Sequence, residues 1–294
     1  MRVTSHKFPA QLTVVFENEQ EFFWLTVFLY QGVERIHLEF DLDEERSQVP
    51  LPCIFLQFNR ETFIDVQNLI KMTTRLLNSR ASPLLESNLR RCADSLPTGA
   101  TISHLGAILS RQANAVRVNV KGVSPEQLSD YLMQIGWTDS TNTFSALVLT
   151  LSKFVDFILL SFDVGDTVLP RIGLECFLDN QPDEEPRWQL FLDYLVEAGL
   201  CTPVKKNAFL AWPGLSAKSS VPDLWPSNIS FGDRLLGSRA FSIFWRRVNH
   251  IKLIYQPGIP LEAKGYLAFG HGWYDRNELI TTEQQKTENS NPIR

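Results

Sequence analysis

Cysteine, surplus positive charge and long apolar runs are all scarce in this sequence. Its four cysteines, Cys53, Cys92, Cys176 and Cys201, stand far apart with no C-x-x-C spacing. That spacing suggests neither a zinc knuckle nor a disulfide framework and fits a reducing compartment. No apolar run approaches the roughly 18 residues that a membrane span needs. The opening MRVTSHKFPAQLTVVF lacks the apolar core of a secretory signal, so a soluble, cytoplasmic protein without a membrane span is expected. Lys and Arg number 28 against 33 Asp and Glu, a net charge of −5, and no nucleic-acid partner is expected of a chain without a cationic surplus. No G-x-S-x-G, P-loop, H-E-x-x-H or G-x-G-x-x-G stands in a fitting context, which takes support from hydrolase, ATPase, zinc-protease and dinucleotide activities. His37, His104, His250 and His271 share no ligand spacing, so no protein-held metal is expected.

What is present is globular material: 294 residues, 44% hydrophobic and 21% charged, enough to bury a core. Residues 1–280 read as one domain and the polar stretch 281–294 as a disordered tail. The most informative segment is FVDFILLSFDVGDTVLPRIGLECF, from Phe154 to Phe177. Two β-branched, apolar runs flank a Val-Gly-Asp turn, the pattern of a hairpin. Its second strand places Arg171, Gly173, Glu175 and Phe177 on one face and Ile172, Leu174 and Cys176 on the other.

The same unit recurs. RIHLEFDL from Arg35 alternates cleanly and pairs with LPCIFLQF (51–58), while 101–110 pairs with 114–122, where Arg117, Asn119 and Lys121 oppose Val116, Val118 and Val120. WRRVNHIKLIYQ (245–256) pairs with LEAKGYLAFG (261–270), and LTVVFE with FFWLTVFLY makes an extra strand pair at the start, unless 19–24 turn out helical. Helices fall between: one capped by Asn59, one over 83–95, one opened by the Ser124-Pro125-Glu126-Gln127 box, and one over 144–154. Two more start at Pro186 and Pro203, and the Pro-, Gly- and Ser-rich stretch after Trp212 reads as a long loop of the lid or binding kind. Two strands then two helices, repeated, gives an α+β fold. About ten antiparallel strands in αββα repeats are expected to close into a barrel with an outer ring of helices.

If the apolar alternates face the helices, the lumen receives Arg35, His37, Glu39, Asp41, Arg117, Asn119, Lys121, Arg171, Glu175, His250, Lys252, Glu262, Lys264 and Tyr266. Cations arriving from four separate strands point to a polyanion such as a diphosphate. Ion pairing with the carboxylates of the same faces is the other explanation. Aromatics at Tyr266 and Phe177 serve either barrel packing or, beside a diphosphate, the shielding of a carbocation.

Two pieces, LGAILSRQANAVRVNVKGVSPEQLSDYLMQIG and LSKFVDFILLSFDVGDTVLPRIGLECFL, together with the repeat order, resemble the αββα-barrel aromatic prenyltransferases. The resemblance covers roughly residues 35–270 and is nearest to the cyanobacterial type that prenylates ribosomal peptides (cyanobactins). It implies transfer of a dimethylallyl or geranyl group from its diphosphate to a peptide side chain or an aromatic small molecule, with Mg²⁺ accompanying the diphosphate as the one candidate cofactor. Carried over by strand and face, Arg117, Arg171, Lys252 and Lys264, with Arg35, would bind the diphosphate. Tyr266 and Phe177 would screen the allyl cation, and Glu39 would deprotonate the acceptor. Glu34 is the rival base, because a one-residue slip of that strand swaps its faces. Two alternatives make different demands: a silent barrel that binds a peptide or small ligand as an accessory protein, and an open ferredoxin-like scaffold whose mid-strand charges pair internally.

Overall fold

The computed structural model describes residues 11–18, 21–28, 33–39, 53–59, 65–108, 114–137, 142–237 and 240–275. Strands β1 (Gln11–Asn18) and β2 (Glu21–Phe28) pair antiparallel with each other, so the helical option for 19–24 is not taken. Then come β3 (Val33–Glu39), β4 (Cys53–Phe58), α1 (Val66–Leu76), α2 (Pro83–Asp94), β5 (Thr101–Ile108), β6 (Val116–Lys121), α3 (Pro125–Gln134) and α4 (Asn142–Leu151). After these run β7 (Phe157–Val164), β8 (Val168–Phe177), α5 (Arg187–Glu197), α6 (Pro203–Leu210), β9 (Gly214–Ala217), α7 (Ser227–Leu236), β10 (Ala240–Tyr255) and β11 (Glu262–Asp275). The alternation of hairpins with helix pairs is thus as expected. The protein is α+β with an antiparallel sheet ordered β11-β10-β8-β7-β6-β5-β4-β3, and β9 pairs with β10 off that path. Among the described residues no pairing joins β3 to β11. No helix among them is long and apolar enough to cross a membrane.

The chain forms two compact units: Val3–Asp179 with His250–Lys264, and Asn180–Asn249 with Gly265–Arg294. In the first, the period-two pattern decides which face is buried. Leu105, Val118, Val120, Phe162, Ile172 and Leu174 are all at most 1% exposed, and they form the apolar face. α1 lies on β5 and α2 on β7. Tyr131 of α3 meets Phe162 edge-on at 6.3 Å and donates its hydroxyl to Cys92 O. Removing this much apolar surface from water is the main stabilising term.

Local signals fix the helix starts. Ser82 Oγ accepts from Leu85 N at 3.1 Å, and Ser124 with Gln127 closes the expected capping box. The cap of α1 is a correction: it is Asp65, whose carboxylate accepts from Asn68 N at 2.8 Å, and not Asn59. Asp65 sits directly before the first helical turn, where an acceptor satisfies an orphan amide.

In the second unit, Trp188, Phe191, Leu192 and Leu195 form the buried stripe of α5, as their spacing indicates. The stretch after Trp212 is not the long loop expected. It holds β9, paired with β10 from Ile243 to Arg246, and α7, whose Asp233 accepts from Ser242 Oγ and Trp273 Nε1. Both elements draw their stability from partners distant in sequence, which breaker-rich composition conceals.

Candidate functional site

The second face of the sheet in the first unit is polar, and its register puts the predicted residues side by side. Arg35, His37 and Glu39 of β3 lie opposite Gln57, Phe55 and Cys53, and Gln57 lies opposite His104. His104 faces Asn119, Asn119 faces Ser161, and Ser161 faces Gly173. One row over, Arg117 opposes Asp163, while Leu159 opposes Glu175 and Glu175 opposes Lys252.

Glu175 is the centre of this face. Lys252 Nζ donates to Glu175 Oε1 at 2.8 Å and to Ser161 Oγ at 2.9 Å, and His250 Nε2 lies 3.8 Å from the other carboxylate oxygen. The Lys252 and Glu175 side chains are 6% and 9% exposed. Burial by itself would raise the Glu175 carboxyl, but the neighbouring Lys252 and His250 outweigh it and hold the carboxyl below its ordinary value. Burial pushes His250 down to about 4 in spite of Glu175, so the ring is neutral at neutral pH. The lysine reaches Ser161 by crossing over Gly173, where a Cβ would come within 2.3 Å of Lys252 Cε. A side chain at that crossing would displace the end of the lysine.

Arg117 holds Asp163 with two bonds, Nε to Oδ1 at 2.8 Å and Nη2 to Oδ2 at 2.9 Å. This fork geometry is the strongest form of such a pair. Burial works against the guanidinium charge, and Asp163 more than restores it. Arg171 Nη2 donates to Glu262 Oε2 at 3.0 Å. Of the five cations assigned to a diphosphate, then, Arg117, Arg171 and Lys252 share the polar face, and each already holds a carboxylate. Arg35 is 60% exposed beside Glu34, and Lys264 lies half-buried on β11.

For the base, Glu39 pairs with Cys53 in the β3–β4 register, while Glu34 falls in the irregularity between Val33 and Arg35 with its side chain 39% exposed. The Glu39 side chain lies outside the described residues. Of the two cation-screening candidates, Phe177 stacks on Phe157 at 4.7 Å and tilts against His250 at 4.6 Å. Tyr266 belongs to the second unit.

A cavity of about 230 Å³ opens beside this face. Phe157, Leu159 and Phe177 wall it with Leu69 of α1, and Gln57, Ser103, His104 and Lys121 bring polar atoms to it. The Lys121 ammonium lies 4.1 Å over the Phe157 ring. No family model, curated protein or solved structure matches this chain.

Sequence reasoning passed over Asp163 and Ser161, which complete the two buried pairs. Their signal was available, because Leu159, Ser161 and Asp163 alternate along β7 just as Arg171, Gly173 and Glu175 do along β8. The apolar richness of FILLSF hides it.

Proposed function

We propose that the protein is a prenyltransferase that moves a dimethylallyl or geranyl group from its diphosphate to a nucleophilic group of a peptide or an aromatic small molecule. One observation carries the proposal: Arg117, Arg171 and Lys252 stand on a single sheet face next to an apolar cavity walled by Phe157, Leu159 and Phe177. Guanidinium and ammonium groups that would exchange their carboxylates for phosphate oxygens, beside a hydrocarbon pocket, suit the two halves of an isoprenoid diphosphate. The repeated order of hairpins and helix pairs supports the same conclusion. It further supposes that the sheet closes as a ring of about ten strands with helices outside, which makes the polar face a lumen.

In this scheme the allylic C–O bond breaks and the diphosphate leaves with the electron pair onto the guanidinium and ammonium groups, which stabilise charge as it develops. The apolar cavity keeps water from the allyl cation, and Phe177 offers it a ring face. The acceptor attacks, and its proton passes to Glu39. Asp163, Glu175 and Glu262 are each tied to a cation, so these residues do not fit a protein-held Mg²⁺. Mg²⁺ carried on the diphosphate oxygens is the form of metal dependence that remains.

The same three ion pairs favour a second reading, a ligand-binding accessory protein without turnover, since a diphosphate must compete with carboxylates already in place. Calorimetry with a non-hydrolysable isoprenoid diphosphate, followed by mass spectrometry of incubations with dimethylallyl diphosphate and a peptide and indole panel, separates the two. Prenyl transfer predicts a prenylated product that Arg171→Ala abolishes without altering the circular dichroism spectrum. Ligand binding without product leaves the accessory role, and undiminished product from the variant refutes the assignment of Arg171.

A further inference from the structure

The cavity contains a proton inventory that selects its ligand. Ser103, the extra residue in the irregularity between Ile102 and His104, makes two contacts through one hydroxyl. Its Oγ donates to the Asn119 carbonyl at 3.2 Å and lies 3.0 Å from His104 Nδ1. A carbonyl can only accept, so the single hydroxyl proton is spent there. With that proton on the carbonyl, the Ser103 oxygen accepts from Nδ1–H, and we take the imidazole as the tautomer whose Nε2 carries a lone pair. Among the described residues Nε2 has no hydrogen-bond partner, while the ring lines the cavity. Nearby, His37 Nε2 satisfies Gln57 Oε1 at 2.6 Å, so that amide oxygen is already taken. Burial, with His37 adding to it, pushes His104 down to about 4, so the lone pair persists at neutral pH.

We infer that the cavity binds a neutral, flat, largely apolar molecule of one or two rings that presents a single N–H or O–H donor to Nε2 of His104. Size agrees, since an apolar cavity of roughly 150 Å³ takes up benzene and this one measures about 230 Å³. Charge agrees as well. The described lining holds no carboxylate, so an ammonium donor would enter without a counter-charge, which leaves a neutral azole or phenol. The inference does not rest on prenyl transfer: a binding site of this kind serves an acceptor substrate or a silent carrier equally.

The test compares indole with benzofuran, which has the same outline without the N–H, by calorimetry on the full-length protein at pH 7.5. A site whose acceptor must be paired rejects the analogue that lacks the donor, so indole is expected to bind at least tenfold more tightly. His104→Phe is expected to bring the two to within about twofold of each other. In the unmodified protein, ¹⁵N-histidine spectra are expected to show the Nδ1–H tautomer at His104, which settles the matter even where the variant fails to fold. Equal binding of the two compounds, binding of neither, or an Nε2–H tautomer overturns the inference.

Discussion

Replacing Lys252 with Met tests how the polar face is held together. At 2.8 Å and an effective dielectric of about 20, the gross attraction between Lys252 and Glu175 is on the order of 6 kcal/mol. Desolvation of the two ions offsets most of it, so the net contribution of the intact pair is small. Removing one partner is different, because Glu175 stays buried without its cation. A loss of about 3–5 kcal/mol is expected, and with a urea slope of roughly 3 kcal/mol/M that moves the unfolding midpoint down by about 1–1.5 M. The double replacement Lys252→Met with Glu175→Leu removes both charges and should recover most of the loss. The effect of pH supplies a second readout. In the parent protein the Glu175 carboxyl is held low, so its contribution is present above the ordinary carboxylate pKa and is lost as pH falls through the lowered value. In the single variant burial is no longer opposed by Lys252, the carboxyl rises, and its contribution survives in acid and disappears as pH increases. The gap between variant and parent should therefore shrink from pH 8 to pH 5. Urea titrations followed by circular dichroism at both values decide the matter. A single-variant loss under about 1 kcal/mol, a double variant no better than the single, or a gap independent of pH would refute the reasoning.

Two further outcomes concern the same face and a third a helix cap. Arg117→Ala leaves Asp163 buried without its guanidinium, with an expected loss of about 3–5 kcal/mol. Arg117→Lys keeps the charge but not the fork, and should lose about 1–2 kcal/mol in the same titration. His104 and His250 are each lowered from 6.5 to about 4, so the unfolded chain takes up protons first. Their stabilising contribution is complete above about pH 6.5 and is lost as pH falls toward about 4, on the order of 3 kcal/mol for each ring. An acid-unfolding curve should accordingly begin its decline near pH 6, with the slope reduced in His250→Leu. Finally, Ser82→Ala removes the α2 cap, for which thermal unfolding should show a loss of about 1 kcal/mol.

Period-two alternation made the polar face readable from the sequence, because β6 and β8 each carry charges on one side only and the apolar side has to be covered. Which charges pair was not readable. Arg117 and Asp163 are 46 positions apart, and only the β6–β7 register, set by helices and turns between them, brings them opposite each other. The cavity was hidden for a related reason: it sits where β5 gains an extra residue at Ser103, and a single-residue irregularity leaves no trace in a pattern of apolar and polar letters. The elements after Trp212 were obscured by Pro226 and Gly232. Yet a proline just ahead of a first turn costs a helix nothing, and Gly232 leaves room for the Trp273 ring, which a Cβ would meet at 2.8 Å.

The hydrogen atom that Gly173 carries in place of a side chain has an evolutionary corollary. Because the lysine stem occupies the space a methyl group would need, position 173 and the ionic couple at 175 and 252 form one inherited trait. A side chain that fills the gap pushes the ammonium off its place over Gly173 and so loosens its hold on the carboxylate. Among descendants of this sequence a side chain at 173 should therefore come with a change at 252, whereas 175 and 252 can change together while the glycine stays.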